Sequence, residues 1–242
     1  MCRHLAYLGA PRSIADLVIE RPHALYEQSW APARQRHGTV NVDGFGAGWY
    51  VDGRALPVRY RRAQPIWTDA SFASLAPTVT SSCVLAAVRS GSPGCSLDES
   101  GAAPFTHDRW LFSHNGRLTD WAKARAVLPP SDAPDALAAV DSAVLFGRAL
   151  AAWTGGSGLA AGLAAAARDV LGAGGGRLTM IAADGAAIAG AVVDEPLWLR
   201  ADEHGSFLAA EPHDDGPWRE LADGTVVHIT ADGITESTLE EI

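Results

Sequence analysis

The chain has 242 residues, of which 48% are hydrophobic and 19% are charged, and its formal net charge is −9. This composition is typical of a soluble globular protein, and the acidic balance argues against a nucleic-acid surface. The densest basic group, Arg59, Arg61 and Arg62, is interpreted as one solvated face of a strand. No apolar run is long enough to span a membrane, and no signal-peptide core follows the N-terminus. Three cysteines without close spacing predict neither a disulfide framework nor a metal site, so we expect a cytoplasmic protein without metal or cofactor.

In chain order, the first half mixes strands with short helices. A strand is predicted at the very N-terminus, and Ser13 as an N-cap predicts a helix that Pro22 interrupts. Two strands flank the Asp52-Gly53 turn, and a continuous apolar run predicts a buried strand before a Gly- and Pro-rich loop. The predicted elements are strand 2–9, helix 13–29, strands 45–51 and 57–62, helix 69–80, strand 83–90, loop 91–104 and strand 109–116.

The second half begins with helices and ends in strands. The predicted elements are helices 119–127, 141–153 and 157–172, followed by strands 177–183, 186–193, 197–201, 206–210 and 225–230. Because the strands come in two blocks with most helices between them, strict βαβ alternation is excluded. We therefore predict an α+β fold with largely antiparallel sheets, in a single domain over 1–242 without an internal repeat.

The second residue is a cysteine, and an initiator methionine is removed when residue two is small. The mature chain then begins with Cys2, which carries both a thiol and a free α-amine. The thiolate is the nucleophilic form of cysteine, and an α-amine, which titrates near pH ~7.7–8.0, can accept the thiol proton. Met1-Cys2 alone also fits a buried thiol at an ordinary translation start, so other residues must decide.

The densest glycine cluster is the segment DGFGAGWY, residues 43–50. A dinucleotide-binding loop needs a strand before it and a helix after it, but this segment continues as a strand, so we exclude a dinucleotide cofactor. Glycines in a strand let another backbone or a ligand come close. Beside a terminal cysteine, we expect them to leave room for a substrate.

The motif Ser113-His114-Asn115-Gly116 ends a predicted strand. An ordinary turn explains an Asn-Gly pair. The functional alternative is an oxyanion hole, in which the Asn115 side-chain amide and the Gly116 backbone N–H point at one developing negative charge. A Cys-His dyad is redundant when the nucleophile carries its own amine, so His114 is treated as structural in its strand, on the side of the expected substrate.

Two charged residues are candidates for binding a small substrate. Arg89 follows an apolar strand, where an arginine is ordinarily paired at the surface but can also bind a carboxylate in a bidentate manner. Asp141 opens a helix, where an N-cap role is the default. It can instead accept hydrogen bonds from a substrate ammonium group.

Taken together, Met1-Cys2, DGFGAGWY, Arg89, the SHNG motif and Asp141-Ser142 resemble the class II glutamine amidotransferases of the Ntn-hydrolase superfamily. The resemblance implies a four-layer αββα sandwich with Cys2 at the edge of a central sheet. It implies that Cys2 forms a γ-glutamyl thioester with its α-amine as the base, and that Asn115 and Gly116 hold the oxyanion. It assigns the glutamyl α-carboxylate to Arg89 and the α-ammonium to Asp141.

Within that superfamily, the chain is most similar to the γ-glutamyl amidohydrolases of ergothioneine biosynthesis. Four segments carry this similarity: residues 36–50, 86–94, 103–116 and 209–215. The resemblance implies removal of the γ-glutamyl group from γ-glutamyl-hercynylcysteine sulfoxide. One departure lies after Arg89, where the sequence reads Ser-Gly-Ser-Pro-Gly and glycine is expected to loosen the loop.

Two other functions remain open from the sequence. One is a glutaminase subunit that supplies ammonia to a separate synthase, and the other is a non-catalytic binding domain of the same fold. The sequence also does not identify the residues that would contact the hercynyl leaving group. The trimethylammonium of the hercynyl group favours aromatic and acidic side chains around it. The candidates for these contacts or for the entrance of the pocket are Trp30, Trp49, Trp67, Trp110, Trp121, His107 and Arg109.

Overall fold

The computed structural model describes residues 2–38, 40–92, 94–127 and 131–242. The strands are β1 (Arg3–Ser13), β2 (Phe45–Trp49), β3 (Val58–Arg62), β4 (Thr80–Val88), β5 (Phe105–His107), β6 (Trp110–Leu118), β7 (Gly176–Ala183), β8 (Ala187–Ala191), β9 (Trp198–Asp202), β10 (Gly205–Ala209), β11 (Arg219–Glu220), β12 (Thr225–Thr230) and β13 (Gly233–Thr238). The helices are α1 (Leu25–Gln28), α2 (Ala70–Leu75), α3 (Trp121–Val127), α4 (Asp141–Thr154) and α5 (Leu159–Ala173). Within the described ranges, no helix has both the length and the apolar composition to cross a membrane.

The strands are arranged in two sheets. Among the described residues, the larger sheet has seven strands in the order β11-β9-β10-β1-β4-β2-β3, and the smaller has six in the order β13-β12-β8-β7-β6-β5. Neighbouring strands run antiparallel throughout both sheets. The predicted α+β class with antiparallel sheets is therefore confirmed.

Three apolar clusters give the order of the layers. One lies between the two sheets and includes Leu85 and Ile181. A second packs α4 and α5 against the six-stranded sheet. A third covers the outer face of the seven-stranded sheet with α1, α2 and the chain around Leu17. The order is thus helix, sheet, sheet, helix, as the αββα resemblance implies.

Strand β1 lies in the interior of its sheet and carries the N-terminus. Its side chains alternate, because successive residues of a strand point to opposite faces. Leu5 and Tyr7 belong to the cluster under the helices, whereas Ala6 belongs to the cluster between the sheets. All three are essentially inaccessible to solvent. Burial on both faces and pairing with β4 and β10 on both edges hold the start of the chain in place.

The helical segment predicted over 13–29 with a break at Pro22 is found, but as two short pieces. Strand β1 continues to Ser13, and only a π-helical turn at Asp16–Glu20 and the short helix α1 follow. Pro22 separates them, because proline has no N–H to continue a helix. Ser13 still caps this turn, since its hydroxyl oxygen accepts the Asp16 N–H at 3.0 Å.

Sequence patterns also missed β5, β11 and β13, which are very short or largely exposed. The interpretation of the three arginines as a solvated strand face is wrong for two of them. Arg59 and Arg61 both form ion pairs with the buried carboxylate of Asp135, while Arg62 on the opposite face is about half exposed. The pleat of β3 turns alternate residues toward a buried partner, which a count of charges does not reveal.

Candidate active site

Cys2 lies at the N-terminal end of an interior strand and contacts the facing sheet. It immediately precedes β1, and Arg3 at the start of β1 is paired with Val88 at the end of β4, so Arg89 follows on the neighbouring strand. The facing sheet contributes Asn115 from β6. The backbone nitrogen of Cys2 donates a hydrogen bond to Asn115 Oδ1 at 3.1 Å. This contact joins Cys2 to the SHNG motif across 113 residues of sequence.

The nitrogen of Cys2 is a peptide N–H in the unprocessed chain, since Met1 precedes it. It stands in for the α-amine of the processed chain, which carries protons for the same acceptor. Met1 itself lies outside the described residues. Cys2 is a free thiol and is partly exposed, so it can be reached by a small molecule.

The other end of the Asn115 side chain has no hydrogen-bond partner in the described part of the chain. Asn115 is fully buried, and its Nδ2 makes no hydrogen bond among the described residues. Buried donors are satisfied in the great majority of cases, and an unmade hydrogen bond costs about 1–3 kcal/mol. An amide donor that is buried, unpaired and one side chain away from a cysteine is suited to stabilise a negative charge that forms during a reaction.

Gly116 cannot be replaced by a larger residue without rearrangement. Its φ is +146°, in the region that favours glycine. An added Cβ would lie 2.0 Å from the carbonyl oxygen of Arg177 and 2.8 Å from His114 Nε2. The absence of a side chain is therefore required for β6 and β7 to pack at this point.

His114 uses both ring nitrogens within the protein. Nε2 lies 3.0 Å from the Arg177 carbonyl oxygen, which only accepts, so this nitrogen carries the proton. Nδ1, 3.0 Å away from the Ser142 hydroxyl, then accepts from it. Complete burial lowers the pKa of His114. The ring therefore joins β6 to β7 and α4 as a neutral group.

Arg89 is held by the protein at the edge of the pocket. It is only 6% exposed, and Nη2 donates to the carbonyl oxygen of Ser96 at 2.5 Å. Gly101 packs closely on the guanidinium, since a Cβ there would lie 2.8 Å from Nη1. In the loop after Arg89, the Gly91 N–H donates to Asp43 Oδ2 at 2.7 Å.

Asp141 is the first residue of α4, and Val140 occupies the N-cap position, so the default alternative of an N-cap does not apply to Asp141. Its Oδ2 accepts the N–H of Leu118 at 3.2 Å, and Oδ1 accepts the N–H of Ser142 at 2.9 Å. These bonds orient a carboxylate that is 7% exposed. A carboxylate oxygen accepts more than one hydrogen bond, so capacity remains for a substrate ammonium.

A narrow pocket of about 20 Å³, the size of one water molecule, brings five of the six predicted site residues together, whereas Asn115 is not among its lining residues. It is lined by Cys2, Arg89, His114, Gly116 and Asp141, together with parts of β4 and of the chain between Ser90 and Phe105. Among the described residues, no group of three His, Cys, Asp or Glu is placed to bind a metal ion.

The glycines of β2 do not open this pocket. A Cβ on Gly46 would lie 2.4 Å from the Ala103 carbonyl oxygen, and one on Gly48 would lie 2.7 Å from Leu111 Cδ1. No residue of β2 lines the pocket at Cys2. The close approach predicted from the glycines is therefore made by the protein itself, and the expected room for a substrate is not found there.

The candidate residues for the leaving-group wall fall in different places. Trp49 and Trp110 are buried in the cores, and Trp30 and Trp67 form an exposed edge-to-face pair with ring centres 5.4 Å apart. Trp121 lines a second pocket of about 210 Å³ that shares Asp141 with the first. Neither His107 nor Arg109 lines the pocket at Cys2.

Sequence patterns missed four buried polar residues around Cys2: Arg3, His4, Ser113 and Glu211. His4 is buried completely, and its Nδ1 lies 3.1 Å from the Ser113 hydroxyl oxygen. Burial lowers the pKa of His4 well below its usual value, helped by the nearby charge of Arg3. The available signal was a charged Arg-His pair inside an otherwise apolar strand, where such residues are rare unless they are partnered.

Comparison with known proteins gives consistent relatives, although no protein-family model matches the chain. A γ-glutamyl-hercynylcysteine sulfoxide hydrolase from Mycolicibacterium smegmatis is 42% identical over 95% of this chain and 96% of its own length. The protein of the same name from Mycobacterium tuberculosis is 38% identical over 99% and 97%. A solved class II glutamine aminotransferase domain protein from Silicibacter pomeroyi superimposes with a TM-score of 0.70 at 25% identity, covering 98% of this chain and 99% of that one.

Fold and relatives together define an N-terminal-cysteine amidohydrolase of the class II glutamine amidotransferase type. The described site has the groups that such an enzyme needs: Cys2 has a free thiol, and its backbone nitrogen is hydrogen-bonded to Asn115. More narrowly, the chain belongs to the family of γ-glutamyl-hercynylcysteine sulfoxide hydrolases, because two members share about 40% of its residues over nearly the full length.

Proposed function

We propose that the protein hydrolyses the γ-glutamyl amide bond of γ-glutamyl-hercynylcysteine sulfoxide, consuming one water and releasing glutamate and hercynylcysteine sulfoxide. The names of the full-length relatives support this substrate. The structural observation that carries the proposal is the contact between the Cys2 nitrogen and Asn115 Oδ1, which fixes the nucleophilic residue beside an unpaired amide donor.

In the first half of the reaction, the α-amine of processed Cys2 accepts the thiol proton, and the thiolate attacks the γ-carbonyl carbon. The tetrahedral intermediate carries a negative oxygen. The α-ammonium then gives its proton to the leaving nitrogen, the carbon–nitrogen bond breaks, and a γ-glutamyl thioester remains on Cys2. One residue thus supplies nucleophile, base and acid.

In the second half, the free α-amine accepts a proton from water, and the resulting hydroxide attacks the thioester. The carbon–sulfur bond breaks, the thiolate recovers the proton, and glutamate leaves. Asn115 Nδ2 and the Gly116 N–H donate to the oxyanion in both halves. Donors that are fixed before the reaction stabilise the transition state without reorganising, and each contributes about 100- to 1000-fold in rate.

Arg89 binds the α-carboxylate of the glutamyl group and Asp141 its α-ammonium. Both side chains are almost buried and both line the pocket that contains Cys2. Binding opposite charges at the two ends of one small group fixes its orientation, so the amide carbon is presented to the thiol. His114 supports this arrangement through Ser142, the neighbour of Asp141.

The proposed location is the cytoplasm, where Cys2 stays reduced, and the proposed partner is the small γ-glutamyl substrate. Cys2, Cys83 and Cys95 are all free thiols. Disulfides are uncommon in that compartment.

Two measurements test the function. The processed protein is incubated with γ-glutamyl-hercynylcysteine sulfoxide and, separately, with glutamine, and glutamate release is followed. We expect the larger substrate to give the higher kcat/KM, whereas a preference for glutamine would favour an ammonia-supplying glutaminase. The glutamine analogue 6-diazo-5-oxo-norleucine should add once, on Cys2, as seen by mass spectrometry. A protein without turnover and without this adduct would be a binding domain.

A further inference from the structure

Arg3 lies directly behind the nucleophile and is fully buried. Its Nε donates to the carbonyl oxygen of Cys2 at 2.8 Å. Its Nη1 lies 3.6 Å from Glu211 Oε2. Since Asn115 holds the nitrogen of Cys2, the residue is fixed at both ends of its backbone, by an amide on one side and a guanidinium on the other.

Glu211 in turn is held from two directions. It is 1% exposed and follows β10, next to Ala210, whose N–H donates to the His4 carbonyl oxygen at 2.9 Å. Its two carboxylate oxygens accept the backbone N–H groups of Ala33 and Arg34, both at 2.9 Å. The carboxylate therefore connects the start of β1 with the segment at Ala33 and Arg34. Arg34 and Glu211 are 177 residues apart in sequence.

That segment is a closed loop between Ser29 and Asn41. The Asn41 N–H donates to the Ser29 carbonyl oxygen at 2.6 Å, and its side chain donates to the Gln28 carbonyl oxygen at 3.0 Å. Thr39 lies outside the described residues. Asn41 thus holds the two ends of the loop together, and Glu211 binds the loop at Ala33 and Arg34.

Stability alone does not account for this ion pair. Burying two charges costs several kcal/mol per ion, and an apolar pair of similar volume is often as stable or more so. The geometry here is also not ideal, because neither Nη1 nor Nη2 of Arg3 has a hydrogen-bond partner within the described chain. What the pair does provide is a fixed position for the carbonyl of Cys2, and through it for the thiol and the amine.

We propose that Arg3 and Glu211 are positioning residues for Cys2. Because Glu211 also binds the loop between Ser29 and Asn41, the orientation of the nucleophile depends on the position of that loop. The inference rests on the proposed function, since it assigns the pair a role in that reaction. Neither side chain touches the substrate. They act by holding Cys2 where its sulfur meets the γ-carbonyl, and a displacement of about 1 Å lowers a rate by up to ~100-fold.

The test compares the variants Arg3→Lys, Arg3→Met and Glu211→Gln with Asp214→Asn. Asp214 is the matched control, because it lies three residues after Glu211 and forms ion pairs with Arg21 and Arg200 instead of Arg3. We expect kcat to fall about 10- to 100-fold in the Arg3 and Glu211 variants, with KM within about threefold of the wild type. Asp214→Asn should keep kcat within about threefold. Arg3→Lys retains the charge but lacks the Nε contact, so its kcat should fall as far as that of Arg3→Met.

A second readout separates positioning from loss of folding. The rate of Cys2 labelling by 6-diazo-5-oxo-norleucine depends on attack from the correct position, whereas labelling by iodoacetamide requires only a thiol that can be reached. We expect the first rate to fall with kcat and the second to change by less than about threefold. The double variant Arg3→Met/Glu211→Gln should lose no more than either single variant, because both break one unit.

Several outcomes would overturn the proposal. A Glu211→Gln variant with wild-type kcat, a loss confined to KM, or a loss that matches the unfolded fraction in a thermal melt would each show a merely structural role. Labelling by the diazo compound at equal rates in wild type and variants would contradict the positioning role alone. A wild type that takes no label on Cys2 and has no turnover would contradict the proposed function as well.

Discussion

The side-chain amide of Asn115 serves Cys2 with its oxygen and leaves its nitrogen unpaired. The oxygen accepts the Cys2 N–H at 3.1 Å, and this bond decides which end of the amide faces the N-terminus. Nδ2 then lies on the remaining side with no partner among the described residues. In the proposed reaction, one buried residue thereby orients the nucleophile and keeps a donor free for the oxyanion.

Replacing Asn115 should therefore affect the chemical step more than binding. Asn115→Asp keeps an acceptor for Cys2 but removes the donor, and we expect kcat to fall about 100- to 1000-fold with little change in KM. Asn115→Ala should lose at least as much. Steady-state kinetics on glutamate release measures both. Wild-type kcat in Asn115→Asp would exclude an oxyanion role for Nδ2.

The nucleophile itself is tested by Cys2→Ala, which should abolish turnover while the thermal melt stays close to that of the wild type. A methionine or tag left before Cys2 should be nearly as damaging, because a peptide nitrogen cannot accept the thiol proton. Intact mass spectrometry reports whether Met1 has gone. Full activity in an unprocessed chain would refute the α-amine as base, even if Cys2 remained the nucleophile.

Gly116→Ala tests the close packing of β6 on β7. The added methyl would lie 2.0 Å from the Arg177 carbonyl oxygen at a φ of +146°, so both contact and backbone are strained. We expect a loss of unfolding free energy of about 2 kcal/mol or more and a large fall in kcat. Gly53→Ala is the control, because Gly53 has an unusual φ of +78° but nothing within 4 Å of its added Cβ. Equal melting temperatures for the two variants would contradict the packing argument.

Arg89 and Asp141 should act mainly on substrate binding. Arg89→Lys removes the planar pair of donors, and Asp141→Asn removes the charge that pairs with the ammonium. We expect KM for either γ-glutamyl substrate to rise about 10- to 100-fold. Arg109→Lys, outside the pocket, should leave KM unchanged. A rise limited to one of the two substrates would mean that the side chain contacts the leaving group instead.

Buried histidines should make the fold sensitive to acid. Burial lowers the pKa of His213 to about 4, partly opposed by Asp214. Between about pH 6.5 and 4 the unfolded chain then binds a proton that the folded chain does not, so this contribution is fully present above pH 6.5 and is lost as pH falls. The wild type should melt several degrees lower at pH 5 than at pH 7, and His213→Gln should show a smaller difference. An unchanged difference would exclude His213 as a source.

The sequence by itself determined which residues are candidates for the site, because their signals are local. A cysteine at position two, an Asn115-Gly116 pair at a strand end and an arginine after an apolar strand can each be read without a fold. The antiparallel α+β class also follows from strand blocks around a helical middle. The helical segment predicted over 13–29 is found as two short pieces on either side of Pro22. That β1 extends beyond residue 9 to Ser13 depends on its pairing with β4, not on its own residues.

Only the tertiary structure decided which of these residues meet. Asn115 reaches Cys2 because two sheets pack face to face, and the Arg3–Glu211 pair forms because β10 lies next to β1. Burial of that pair also depends on layers that no short motif encodes. The physical reason is that a motif specifies groups and local backbone, whereas the distances between groups remote in sequence are set by strand order and sheet packing.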